Sequence, residues 1–143
     1  MKVKVKGFVA KIRQGTDGGM SWGPAAMLRW SDTSGLRIGT RSDGNVQGDI
    51  LGLLGQQRLF PGCDGGRWVW LRARWLDRRG IMERSDDGVN YEHLWTFDHG
   101  GAFNGEAAEL LVGKVPYNGQ PKDHTDAGST GESDIAFVEL YGR

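Results

Sequence analysis

The segment RWVWLRARWL (67–76) decides the fold, because its residues alternate with the period of a β-strand. Successive side chains of a strand point to opposite faces of the sheet. One face of this segment carries residues that suit a hydrophobic core: Val69, Leu71, Ala73 and Trp75. The opposite face carries Trp68, Trp70, Arg72 and Arg74. The first face predicts a strand packed on a core, and the second raises the question of what tryptophan and arginine do together.

Further short segments that read as strands follow one another along the chain. They lie at 2–13, 22–31, 36–42, 81–85, 90–98, 109–116 and 134–142. Segment 46–60 fits either a strand followed by a loop or one helical turn at 49–54. The change of parity at Gly7 indicates a bulge or a strand covered on both faces. Turn residues, among them many of the 24 glycines, separate the segments. We therefore expect a single all-β domain over residues 1–143, built from two antiparallel sheets or a barrel.

The charge balance argues against partners that are bound through bulk charge. The 18 basic and 18 acidic residues give a net charge of zero, so we expect neither nucleic acid nor membrane as a partner. Cys63 is the only cysteine and lies in the turn FPGCDGG (60–66), where a small turn residue is the simplest interpretation. No stretch reads as a signal peptide, and the first strand begins at residue 2. Both features lead us to expect a domain excised from a larger protein.

Three parts of the sequence carry a resemblance to a known family. They are GPAAMLRWSDTSGLRIGTRSDG (23–44), WVWLRARWLDRRGIMERSDDGVNYEHL (68–94), and LLVGKVP (110–116) with DIAFVELYG (134–142). Together they resemble the strands and turns of bacterial concanavalin A-like lectin/glucanase (LamG-like) β-sandwiches. The resemblance implies a two-sheet antiparallel jelly roll, often with bound calcium. It also implies attachment to other domains of a secreted carbohydrate-active protein, hence an extracellular or periplasmic location.

The tryptophans and arginines of 67–76 predict a ligand-binding face. Arg37 and Arg41 share one face of their own strand, and they would join Trp68, Trp70, Arg72 and Arg74 if the two strands were neighbours. The apolar faces of sugar rings stack on indole, and guanidinium groups bind hydroxyls or a carboxylate. This combination predicts a polysaccharide or oligosaccharide ligand, with an anionic glycan favoured by the arginines. The alternative is that the indoles belong to the core, or that arginines cover them and pair with acidic residues.

The loop before the last strand, DHTDAGSTGESD (123–134), predicts a calcium site at Asp123, Asp126 and Asp134. Calcium prefers several oxygen ligands on flexible backbone, although the same residues could serve only as turn-forming Asx caps. A glycoside hydrolase needs a pair of carboxylates on one face, and no E-x-D or E-x-x-x-E spacing occurs on a predicted strand.

Three functions are consistent with these observations. The first is a non-catalytic carbohydrate-binding module that uses the tryptophan- and arginine-rich sheet face. The second is a structural or interaction module whose aromatic face is covered by a loop or a neighbouring domain. The third, a glycan-degrading enzyme, is disfavoured because the carboxylate pair is missing from the predicted strands.

Overall fold

The computed structural model describes residues 4–19, 23–52, 56–115 and 131–142, and this part of the chain contains β-strands and no α-helix. The strands are β1 (Val5–Arg13), β2 (Pro24–Ser31), β3 (Ser34–Thr40), β4 (Val46–Leu51), β5 (Gln56–Phe60), β6 (Val69–Leu76), β7 (Arg79–Ser85), β8 (Glu92–Asp98), β9 (Glu109–Lys114) and β10 (Asp134–Gly142). Within the described ranges, no helix is long and apolar enough to span a membrane.

The strands form two antiparallel sheets that pack as a sandwich. The first sheet has the order β10-β1-β6-β7-β8, and the second has the order β5-β4-β3-β2-β9. The paired strands are antiparallel throughout both sheets. The predicted all-β, two-sheet antiparallel sandwich is therefore confirmed, and its architecture is like that of a jelly roll.

The core between the sheets follows from the alternation seen in the sequence. Fully buried side chains include Phe8, Ile12 and Leu71 of the first sheet and Leu28, Leu36 and Ile38 of the second. Of the strand that decided the fold, Val69, Leu71, Ala73 and Trp75 all lie in this core. Burying one face of each sheet against the other removes these apolar surfaces from water, which is the main force that holds the sandwich together.

The structure resolves two ambiguities of the sequence. Segment 46–60 contains two paired strands, β4 and β5, so residues 49–51 are strand and not helical, and a second strand lies where a loop was the other expectation. The register of β1 against β10 shifts between Val5 and Gly7, which confirms the bulge. A side chain at Gly7 would collide with the carbonyl oxygen of Ala73, so glycine lets β1 approach β6 closely at this point.

Candidate functional site

The outer face of the first sheet gathers aromatic and charged side chains from several strands. Pairing places Lys11 of β1 between Phe137 of β10 and Trp70 of β6. Two residues further along β6, on the same face of the sheet, Arg72 lies opposite Glu83 of β7. We call this surface the Trp face and define it by Lys11, Arg13, Trp68, Trp70, Arg72, Arg74, Glu83 and Phe137. It includes the side of residues 67–76 to which the sequence alternation assigned two tryptophans and two arginines.

Trp68 and Trp70 lie side by side on this face, and both are half-buried. The Lys11 Nζ is 4.6 Å from the ring centroid of Trp70 and 5.2 Å from that of Trp68. The Arg13 Cζ is 4.6 Å from the ring centroid of Trp68. The two indoles therefore belong to the surface of the sheet, where cations contact their rings, and not to the core between the sheets.

One carboxylate holds two of the arginines. Arg72 Nε donates a hydrogen bond to Glu83 Oε2 at 2.5 Å, and Arg74 Nη2 donates one to Glu83 Oε1 at 2.7 Å. Burial alone would raise the pKa of Glu83, but the hydrogen bonds from Arg72 and Arg74 outweigh it and lower the pKa. The Arg72 Cζ also lies 3.6 Å from the ring centroid of Tyr91. Among the described residues, these two guanidinium groups thus share one carboxylate.

The remaining cations of the Trp face differ in how they are neutralised. Arg13 Nη2 forms an ion pair with Asp134 Oδ2 at 2.7 Å. Lys11 forms no ion pair with any residue in the described part of the chain, and its contacts are the two indole rings. Lys11 is thus a cation placed over an aromatic surface, without an ion pair in the described part of the chain.

A tight turn supports Trp70 from the β7–β8 side. The Ser85 hydroxyl accepts hydrogen bonds from the amides of Asp87 and Gly88. Backbone amides of Asn90 and Val89 donate to the Asp87 carboxylate and lower its pKa. Gly88 has φ 78° and lies against the indole, so an added Cβ would come within 2.8 Å of the Trp70 ring. Glycine is required here both by the backbone and by the contact.

Arg37 and Arg41 do not join the Trp face, and the expectation that they would is wrong. Arg37 lies on β3 of the second sheet, and Arg41 directly follows the end of that strand. Arg37 is fully buried, and its Nη1 lies 3.2 Å from Asp49 Oδ2 while its Nε donates to the Val115 carbonyl at 2.8 Å. Arg41 pairs with Asp43 at 2.8 Å. Alternation shows which side of a strand a residue occupies, but it does not show which strands are neighbours.

The residues predicted to bind calcium are only partly described. Asp123 and Asp126 lie outside the described residues. Asp134 starts β10, and its carboxylate is the ion-pair partner of Arg13. Within the described ranges, no group of three or more histidine, cysteine or acidic side chains is arranged to hold a metal ion. The calcium site stays a prediction.

Sequence reasoning missed four members of the site, Lys11, Arg13, Glu83 and Phe137, and the adjoining Tyr91. The signal for two of them was present, because Lys11 and Arg13 share one parity of the first strand. That parity became informative only once β1 was known to pair with β6, some 60 residues along the chain.

Comparisons with known proteins support the fold and leave the family open. No protein-family model matches the chain, and no curated protein matches it. The LamG-like resemblance therefore has no family match behind it, whereas the two-sheet β-sandwich has close structural parallels.

Three solved structures illustrate these parallels. A protein of unknown function from Saccharomyces cerevisiae is 15% identical, with 100% of this chain and 74% of that chain covered and a TM-score of 0.67. The GH43 protein BlXynB from Bacillus licheniformis is 10% identical, with 98% and 28% covered and a TM-score of 0.62. Scytalido-glutamic peptidase is 13% identical, with 96% and 69% covered and a TM-score of 0.52. At these identities the likeness shows a shared fold alone.

Proposed function

We propose that this chain is a non-catalytic carbohydrate-binding module that recognises a polysaccharide through the Trp face. The observation that carries the proposal is the pair of half-buried indoles, Trp68 and Trp70, which lie side by side with cations over their rings. Adjacent aromatic rings on a sheet suit consecutive sugar units, whose C–H faces stack on indole, while the surrounding donors suit hydroxyl groups.

The charges of the Trp face favour an anionic glycan, such as a polyuronate. A sugar that stacks on Trp70 must move the Lys11 ammonium, which gives up a cation–π contact of about 0.5–1 kcal/mol at an exposed site. A neutral sugar offers the ammonium only hydrogen bonds to hydroxyl oxygens, whereas a uronate carboxylate adds an ion pair of about 0–1 kcal/mol. Arg72 and Arg74 add to this preference because, of the carboxylates in the described ranges, they share that of Glu83.

The state of Glu83 supports binding without catalysis. A glycosidase needs a carboxylic acid that can deliver its proton, which usually requires a raised pKa. The pKa of Glu83 is lowered by Arg72 and Arg74, and both of its oxygens accept hydrogen bonds from them. Glu83 is therefore suited to position two arginines and is poorly suited to act as an acid.

The comparison with BlXynB supports a place within a larger protein. The chain spans 28% of that GH43 protein, so this fold occurs as one part of a longer chain. We propose that the module is attached to other domains of a carbohydrate-active parent protein, in an extracellular or periplasmic setting, as the LamG-like resemblance implies.

Affinity electrophoresis tests the proposal. We expect polygalacturonate and alginate to retard the protein more strongly than the neutral polymers xylan and laminarin. The double variant Trp68→Ala/Trp70→Ala should lose affinity for the best polymer by about tenfold or more, equal to about 1.4 kcal/mol. Leu76→Ala is the matched control, because Leu76 is an exposed apolar residue of β6 and lies past Arg74 at the far end of the strand.

The same experiment separates the proposal from its rivals. Polymer binding that is unchanged in the double variant, or no binding to any polymer, would refute the Trp face as a glycan site. Loss of folding in the double variant would instead indicate that the indoles serve packing, as an interaction module requires. Urea unfolding of each single variant then distinguishes the two outcomes, because a surface indole contributes less stability than a core indole.

A further inference from the structure

A small polar cavity of about 110 Å³ opens at the end of the sandwich where the chain enters β6. The loop that precedes β6 forms one wall, and the end of β7 with the turn after it forms the other. Its lining includes Cys63, Asp64, Arg67, Trp68, Arg84 and Asp86. The cavity is smaller than a typical small-molecule site, so it suits a few polar groups of a larger ligand. Trp68 also belongs to the Trp face, so the cavity borders the proposed glycan site.

Hydrogen bonds hold the two walls of this cavity in place. In the loop, the Cys63 amide donates to the Gly44 carbonyl at 2.9 Å. On the other side, Arg84 Nη1 donates to the Pro61 carbonyl at 2.6 Å, which joins β7 to the loop. The cavity is therefore part of the folded sandwich, and a ligand that enters it has little of the protein to order.

Arg67 and Asp86 bring opposite charges to the cavity without contacting each other. Both residues are exposed, and within the described ranges neither side chain forms a hydrogen bond or an ion pair. Asp64 and Arg84 differ from them, because Asp64 Oδ1 accepts from the Gly66 amide at 2.8 Å and Arg84 is held by the loop. A donor and an acceptor that line one cavity and do not meet leave room for a ligand group between them.

The charges around the cavity balance one another. Two arginines, Arg67 and Arg84, are matched by two aspartates, Asp64 and Asp86. The Cys63 thiol adds no charge at neutral pH, because burial raises its pKa. An anion would be repelled by the aspartates and a metal ion by the arginines. A hydroxyl group is neutral and both donates and accepts, so it matches a lining that holds carboxylates and guanidinium groups together.

We propose that this cavity binds two adjacent ring hydroxyl groups of a sugar unit, next to the unit that stacks on Trp68. The Asp86 carboxylate accepts from the hydroxyls, and the Arg67 guanidinium donates to their oxygens. The inference rests on the proposed function, because the rest of the glycan lies on the Trp face. It adds a requirement that stacking alone does not impose, namely that the hydroxyls entering the cavity are free. Acetyl groups on them would remove the donors and would not fit so small a space.

Isothermal titration calorimetry with one polymer in two forms tests the proposal. The polymer is the acidic one that binds best in affinity electrophoresis, first O-acetylated on its ring hydroxyls and then deacetylated with mild alkali. We expect the parent protein to bind the deacetylated form about tenfold more tightly than the acetylated form. Asp86→Ala and Arg67→Met should each bind the deacetylated form about fivefold more weakly than the parent, and the difference between the forms should shrink to about twofold.

Asp86→Ala also separates the proposal from a general effect of charge. Loss of a negative charge should strengthen the binding of an acidic polymer through long-range attraction, whereas loss of the hydroxyl acceptor should weaken it. Arg79→Met is the matched control for Arg67→Met, because it removes the same charge from an exposed position at the start of β7, away from the cavity. The control should retain the parent's preference for the deacetylated form.

Three results would overturn the proposal. The first is equal affinity of the parent for the two forms, and the second is an Asp86→Ala variant that binds the deacetylated form as tightly as the parent or more tightly. The third is a preference that persists in both Asp86→Ala and Arg67→Met, since the acetyl groups would then act on stacking. In each case Trp68→Ala/Trp70→Ala would still lose binding, and the Trp face would stand as the glycan site. A parent protein that binds neither form would overturn both proposals.

Discussion

The two outer faces of the sandwich both carry arginines, and they use them in opposite ways. On the second sheet, Arg37 is fully buried and faces Asp49. On the first sheet, the side chains of Arg72 and Arg74 are 20% and 47% exposed and share Glu83. Arginine on the outer side of a strand is thus an internal structural element in one sheet and part of an accessible surface in the other.

The difference between the faces is one of desolvation. A buried pair such as Arg37 and Asp49 has given up its hydration, so each charge depends on the other and on the groups around it. Burial raises the pKa of Asp49, and attraction to Arg37 together with a hydrogen bond from Gln47 opposes that rise. On the Trp face Glu83 is buried too, but Arg72 and Arg74 remain near water, which compensates them for a lost carboxylate. Removing one acid should therefore cost far more on the second sheet.

The largest predicted effect is that of Asp49→Ala. It leaves the Arg37 guanidinium buried without its carboxylate, so we expect the free energy of unfolding to fall by about 3–5 kcal/mol. Glu83→Ala is the matched control on the other face and should cost about 1 kcal/mol. Urea denaturation measures both, and the double variant Arg37→Met/Asp49→Leu should recover part of the loss. Equal losses for the two single variants would remove the distinction between the faces.

The alternation of residues in the sequence predicted the all-β fold and part of the Trp face. It placed Trp68, Trp70, Arg72 and Arg74 on the outer side of β6, because the period of a strand is set by backbone geometry alone. It also placed Arg37 on the face of its strand opposite to Leu36 and Ile38. Whether that face was exposed, and which sheet it belonged to, depended on pairings between distant segments. No local pattern encodes such pairings, and so Lys11 and Arg13 were missed as well.

His99 illustrates a second limit of sequence reasoning. His99 had no informative spacing to another histidine, and the sequence placed it only in a loop. Its character arises because Gly101 and Phe103 direct their amides at Nδ1, which fixes the tautomer and leaves Nε2 as the donor. Such a feature depends on hydrogen-bond geometry within one turn, which residue spacing does not encode.

A smaller effect is expected at the turn that supports the Trp face. In Gly88→Ala a residue with a side chain must adopt φ 78°. Its Cβ must also come close to the Trp70 ring. We expect a loss of about 1–3 kcal/mol in the free energy of unfolding, together with a changed Trp70 environment that weakens polymer binding. Gly105→Ala is the control, because nothing lies within 4 Å of an added Cβ there. Comparable losses in both variants would argue against a specific role for Gly88.

The pH dependence of stability distinguishes the Trp face further. The pKa of Glu83 is lowered in the folded state from its ordinary 4.5, because hydrogen bonds from Arg72 and Arg74 outweigh its burial. A carboxyl group of this kind stabilises the fold above pH 4.5 and loses that contribution as the pH falls through its lowered pKa.

Glu83→Gln should therefore be less stable than the parent by about 1 kcal/mol at neutral pH. The difference should shrink steadily as the pH falls below 4.5. Urea midpoints measured across this range provide the test. A difference that stays constant with pH would mean that Glu83 acts through packing and not through its charge.

The smallest effect tests how far the binding surface extends across strands. Phe137 is 40% exposed and lies in the same row as Lys11 and Trp70. A glycan chain that crosses the strands along this row would contact Phe137 beyond Lys11, whereas a chain that follows β6 would not. Phe137→Ala should therefore reduce polymer affinity about threefold, or by about 0.6 kcal/mol, with little change in stability. Affinity electrophoresis that shows full binding in Phe137→Ala, together with loss in Trp70→Ala, would instead indicate a chain running along β6. In that arrangement Arg72 and Arg74 would contact successive sugars, and the preference for acidic polymers would depend on them more than on Lys11.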